Sequence, residues 1–154
     1  MPADGDTKRR RGVVLALLRS AGKPLTLKVQ GRCMSPFLAP GDAVRIAFCE
    51  ADELSIGDIV AYETGDGVAV HRVLRIAQIR GTMRVYQKGD NLKTGSWLDE
   101  DQVLGRVVSV IRPDSSETAV HTPSALMKAW CSARYFLIVL RSLARRLVRA
   151  FRKV

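Results

Sequence analysis

Two side chains near the middle of the chain have the chemistry to act together. Cys33, in Gly31-Arg32-Cys33-Met34-Ser35-Pro36, carries a thiol that is a strong nucleophile once ionised. His71, in Val70-His71-Arg72-Val73, carries an imidazole able to accept a proton at neutral pH. A thiol and an imidazole within reach of one another form an acyl-transfer pair that works through a thioester. The nucleophile would sit at the start of a turn, where backbone amides are free, so the N–H of Cys33 is the natural donor to an oxyanion. Cys49 and Cys131 read as small apolar fillers, because three widely spaced cysteines match neither a disulfide framework nor a paired zinc site. His121 lies in a polar stretch and reads as a surface residue. No cofactor or metal is expected.

The elements that must position these groups follow from periodicity and punctuation. Residues 7–21 have a helical composition that ends at Gly22-Lys23-Pro24. Leu25, Leu27 and Val29 then alternate with Thr26, Lys28 and Gln30, the period of a half-buried strand leading into Gly31. Gly-Asp turns at Gly41-Asp42, Gly57-Asp58, Gly65-Asp66 and Gly89-Asp90 separate β-branched and aliphatic runs at 43–47, 58–62, 68–79, 82–87 and 103–111. The pattern predicts a mainly β domain, a twisted antiparallel sheet or partly closed barrel, over residues 25–113. It is preceded by a basic segment with a short helix (1–24) and followed by a linker (114–123). Residues 124–154 read as a basic amphipathic helix, with Phe136, Leu140, Leu143 and Leu147 on one face and Arg141, Arg145 and Arg149 on another.

Three boxes, in order, resemble the signal peptidase I and LexA-like peptidases. The Gly31 to Pro36 motif followed by Pro40-Gly41-Asp42 is similar to the nucleophile box, with cysteine where that family has serine. Gly57-Asp58-Ile59-Val60-Ala61-Tyr62 leading to Val70-His71-Arg72-Val73 resembles the general-base strand of the histidine type. Lys88-Gly89-Asp90-Asn91 followed by Val103-Leu104-Gly105-Arg106-Val107 looks like the downstream acidic box and closing strand. The resemblance implies the barrel fold of those peptidases, Cys33 as nucleophile with His71 as base, and a groove shaped by Met34, Ser35 and Pro36. It also implies an acid that orients His71. Asp90 is the first choice and Asp99 the second, since the family's usual position falls in Lys93-Thr94-Gly95-Ser96, which has no acid.

The formal charge of +10 is segregated, with +5 in residues 1–30, −1 in 31–113 and +6 in 114–154. A neutral centre between basic ends suggests a domain that selects its substrate by shape and is held near something anionic. The expected partner is a peptide or precursor protein taken as an added strand and cleaved as a leader or signal peptide is. Residues 124–154 either dock on the domain or lie on an anionic membrane surface. A catalytically inactive peptide-binding module is the competing reading. Nucleic acid is not the expected partner, because the 30 residues before Gly31 leave no room for a helix-turn-helix reader. The run 12–18 is too short for a signal sequence once Arg19 interrupts it, and residues 135–140 are far short of a bilayer span, so a cytoplasmic, at most peripheral, protein is expected.

Overall fold

Residues 25–119 form eight strands, most of them from apolar runs between tight turns. A computed structural model describes residues 3–151, with side chains for 12–149. The strands are β1 (Leu25–Lys28), β2 (Ala43–Phe48), β3 (Ile59–Glu63), β4 (Val68–Ile79), β5 (Thr82–Lys88), β6 (Ser96–Asp99), β7 (Val103–Ile111) and β8 (Glu117–Ala119). Helices α1 (Ala3–Ser20) and α2 (Ala125–Phe151) flank them. Every strand pair is antiparallel, in the order β1-β2-β7-β3-β4-β5-β6, with β8 added to β7. The sheet curls into a half-barrel, the mainly β architecture that the alternation predicts. Within the stretch expected to be a linker, Glu117–Ala119 pairs with β7 from Ser109 to Ile111.

Both faces of the central strands are buried. Successive side chains of a strand point to opposite faces, so Ile59 and Ala61 of β3 join one apolar cluster while Val60 and Tyr62 join another. Met34, Leu38, Val44 and Ile46 fill the first cluster, together with Leu15 of α1. Burying each such side chain contributes about 1.5–3 kcal/mol. Helix α1 stops at Gly22, whose φ of +62° favours glycine, while Gly22 and Lys23 donate back to Arg19 and Leu18.

The start of α2 is fixed by Pro123-Ser124, with the Ser124 hydroxyl accepting from Met127 N–H at 3.2 Å. Its first half then docks on the sheet. Cys131, Tyr135 and Ile138, spaced by four and three, pack on Leu74, Tyr86 and Trp97. Tyr86, Trp97 and Tyr135 meet edge to face, with centroids 5.0 to 6.1 Å apart. Among the described residues, no helix is long and apolar enough to cross a membrane.

Candidate active site

The longest strand, β4, is paired differently along its length. Its whole first part, residues 68–72, pairs with β3, but β5 joins it only from Arg72, opposite Lys88, onward. Residues 68–71 therefore leave one backbone edge unpaired within the sheet. The edge strand β1, paired only with β2, leaves a second free edge. Between them runs a groove of about 530 Å³ lined by Leu27, Val29, Gly31, Cys33, Val68 and Val70. Unpaired strand edges hold N–H and C=O groups ready to take up another strand.

Cys33 stands at this groove, half-buried, where β5 parts from β4. One residue past the Arg72–Lys88 pair comes Gly89, and a Cβ there would lie 2.6 Å from the Cys33 carbonyl oxygen. Only glycine permits so close an approach. Asn91 N–H donates to that same carbonyl at 2.8 Å, and Asn91 Nδ2 donates to Arg32 O at 3.3 Å. The turn after β5 thus fixes the backbone of the cysteine loop. Among the described residues, Cys33 N–H donates to no backbone acceptor, which leaves it open as an oxyanion donor. Gly31 borders the thiol, and a Cβ at that position would lie 4.0 Å from Sγ, at ordinary contact distance.

His71 is held from β3 and β5. Its Nδ1 hydrogen-bonds Gln87 Oε1 and lies 3.0 Å from the Tyr62 hydroxyl, while Gln87 Nε2 donates to Ser96 Oγ at 2.7 Å. With the amide nitrogen engaged by Ser96, Oε1 is an acceptor, so Nδ1 carries the proton and Nε2 keeps the lone pair a general base needs. Burial lowers the His71 pKa from 6.5, outweighing the Gln87 bond and the Asp90 charge that raise it, and Lys88 lowers it further. The imidazole is thereby kept neutral. Burial, with Cys33 nearby, pushes the Tyr62 hydroxyl up to about 12. Among the described residues, no hydrogen bond joins the Cys33 thiol to His71.

The acids expected to orient His71 are engaged elsewhere. Asp90 takes a two-pronged bond from Arg72, at 2.9 and 2.7 Å, with Arg134 of α2 at 3.8 Å. Asp99, largely exposed, pairs with Arg84. Gln87 holds the place assigned to an acid, and Ser96 behind it belongs to the acid-free stretch 93–96. The residues expected to shape the groove also lie elsewhere. Met34 is 1% exposed in the core, Ser35 Oγ bonds Leu38 O at 3.4 Å, and Pro36 faces a separate depression with Phe37, Asp90, Trp130 and Arg134. The groove walls come instead from alternate apolar residues of β1 and β4. Cys49 and Cys131 are buried and all three cysteines are free, while His121 is exposed. Among the described residues, no cluster of three or more His, Cys, Asp or Glu side chains could hold a metal ion.

No family model matches the chain, and no curated protein matches it significantly.

Proposed function

We propose that this protein is an endopeptidase of the signal peptidase and LexA-like type, cleaving an extended leader or signal peptide with Cys33 as nucleophile and His71 as base. The observation that carries this reading is the groove itself: two unpaired strand edges, Cys33 between them, and His71 on the strand that forms one edge. A peptide lying there as an added strand gains main-chain hydrogen bonds, and small apolar hollows take alternate side chains. Three unpaired thiols favour a reducing compartment, the cytoplasm, as the place of action.

The chemistry balances with these groups alone. Nε2 of His71 takes the thiol proton, and the thiolate attacks the scissile carbonyl carbon, whose oxygen takes the charge and accepts from Cys33 N–H. Collapse breaks the C–N bond, and the His71 proton passes to the departing amine. Water, deprotonated by His71, then opens the thioester to release the new carboxyl group and restore the thiol.

A second reading, an inactive peptide-binding module, is favoured by the absence of a thiol–imidazole hydrogen bond and by the packing of Cys33 against the first apolar cluster. Alkylation of the folded protein by iodoacetamide separates the two. Burial pushes the Cys49 thiol up to about 11 and raises that of Cys131, so both stay unlabelled at neutral pH. Cys33 should label selectively, and more slowly after His71→Ala. Equal labelling with and without His71, or none at all, removes the nucleophile and leaves the binding module.

A further inference from the structure

Helix α2 has two apolar stripes, and the sheet covers only one of them. Cys131, Tyr135 and Ile138 face the sheet. Phe136, Leu140, Leu143 and Leu147 lie roughly 140° round the helix from them at 3.6 residues per turn, and are 53%, 60%, 49% and 60% exposed. Leu126 and Trp130 are exposed too, on the flank of this stripe near the start of the helix. Leucines about half exposed in a row along one helix face mark an interaction surface.

Charge identifies the partner. Between Ala125 and Phe151 the helix carries Lys128, Arg134, Arg141, Arg145, Arg146 and Arg149 and no acidic residue. Arg141, Arg145 and Arg149 follow one another at intervals of four, so they repel each other along the part of the helix beyond its contact with the sheet. A second copy of this helix would add like charge without a carboxylate to pair it. An anionic lipid surface accepts an apolar face of any length and relieves that repulsion.

We infer that α2 lies on an anionic bilayer, with its outer stripe among the acyl chains and its arginines at the headgroups. Trp130, with the Arg134 guanidinium 4.4 Å above its ring, is placed as an interfacial anchor. Trp130 and Arg134 share a depression with Pro36 and Phe37 of the cysteine loop, so binding by α2 brings that loop to the membrane. The inference does not depend on whether Cys33 is a nucleophile.

Flotation of the full chain with vesicles tests it. Vesicles of phosphatidylcholine and phosphatidylglycerol in equal parts should carry the protein up, and phosphatidylcholine alone should not. Replacing Leu140, Leu143 and Leu147 by Gln should abolish flotation, and replacing Arg141, Arg145 and Arg149 by Gln should weaken it about fivefold per arginine. These side chains are exposed, and an unchanged near-ultraviolet circular dichroism signal from the Tyr86–Trp97–Tyr135 cluster reports an intact fold. Flotation with both vesicle types alike, flotation indifferent to the leucine changes, or none at all overturns the inference. In the last case, a dimer in sedimentation velocity that the leucine changes dissolve assigns the stripe to a second copy, and a monomer assigns it to a protein partner.

Discussion

The side-chain amide of Gln87 accepts the hydrogen bond from Nδ1 of His71, where a carboxylate was expected. A neutral amide fixes the tautomer and the ring, yet offers an imidazolium none of the charge stabilisation a carboxylate would. The arrangement suits a thiol, which is acidic enough to need a base that is oriented more than one that is strengthened.

In the proposed Cys33–His71 mechanism Gln87 would be the positioning residue. Removing the Gln87 acceptor leaves Nδ1 only the Tyr62 hydroxyl at 3.0 Å, at a cost of about 1–3 kcal/mol, which corresponds to roughly fivefold to 150-fold in rate. Gln87→Ala should slow Cys33 alkylation at neutral pH by about that factor. Gln87→Glu should move the acid limb of the alkylation profile upward, because a carboxylate at Nδ1 favours the protonated ring. A shift of rate without any shift of the profile in the Glu variant would reduce Gln87 to a packing role.

The His71 pKa sets a sign for pH. Burial lowers it from 6.5 in the folded state, so the unfolded chain binds the proton more tightly. Stability should thus fall as pH drops through 6.5, and the loss should level off below the folded-state value. The neutral ring should persist below pH 6.5. In a His121→Ala variant, whose only imidazole is His71, proton NMR titration should find the midpoint below 6.5; a midpoint above it contradicts this account.

Asp90 joins Arg72 to Arg134, tying β4 to α2. The Arg72 and Asp90 side chains are 9% and 12% exposed, so Asp90→Ala strands a buried guanidinium. The expected cost is about 3–5 kcal/mol, read from urea unfolding. Replacing both residues by apolar ones of similar volume should cost far less. If single and double changes cost the same, the pair is not the source of the loss.

Gly89 lets the turn after β5 lie close against the cysteine loop. Gly89→Ala forces its new methyl group or the Cys33 carbonyl to move. Overpacking of this kind costs about 1–3 kcal/mol, and Cys33 alkylation should slow with it. Unchanged reactivity in the folded variant would mean that the loop holds its position without Gly89.

Much of this architecture is legible in the residues. Strands β2, β3, β4, β5 and β7 announce themselves by aliphatic runs between Gly-Asp turns, and α2 by its arginine and leucine faces. The four-residue β6 has too few positions for a period to emerge. All of β8 is exposed, so no apolar alternation marks it; backbone pairing with β7 holds it, together with the Glu117 carboxylate, which accepts from Ser109 Oγ and pairs with Arg45. The orienting role of Gln87 depends on the β4–β5 register, which shifts between Val73 and Arg75. No spacing in the sequence encodes that shift, so only the acids Asp90 and Asp99 stand out as candidates there. The family resemblance implies a groove role for Met34, but the turn directs its side chain into the core.

The one-sided pairing of residues 68–71 also bears on errors. A peptide strand added there can slide only in steps that keep its apolar side chains on the same face, and the smallest such step is two residues. If this groove cuts its substrate out of register, the misplaced cuts should fall two residues from the correct one, with the adjacent bond spared.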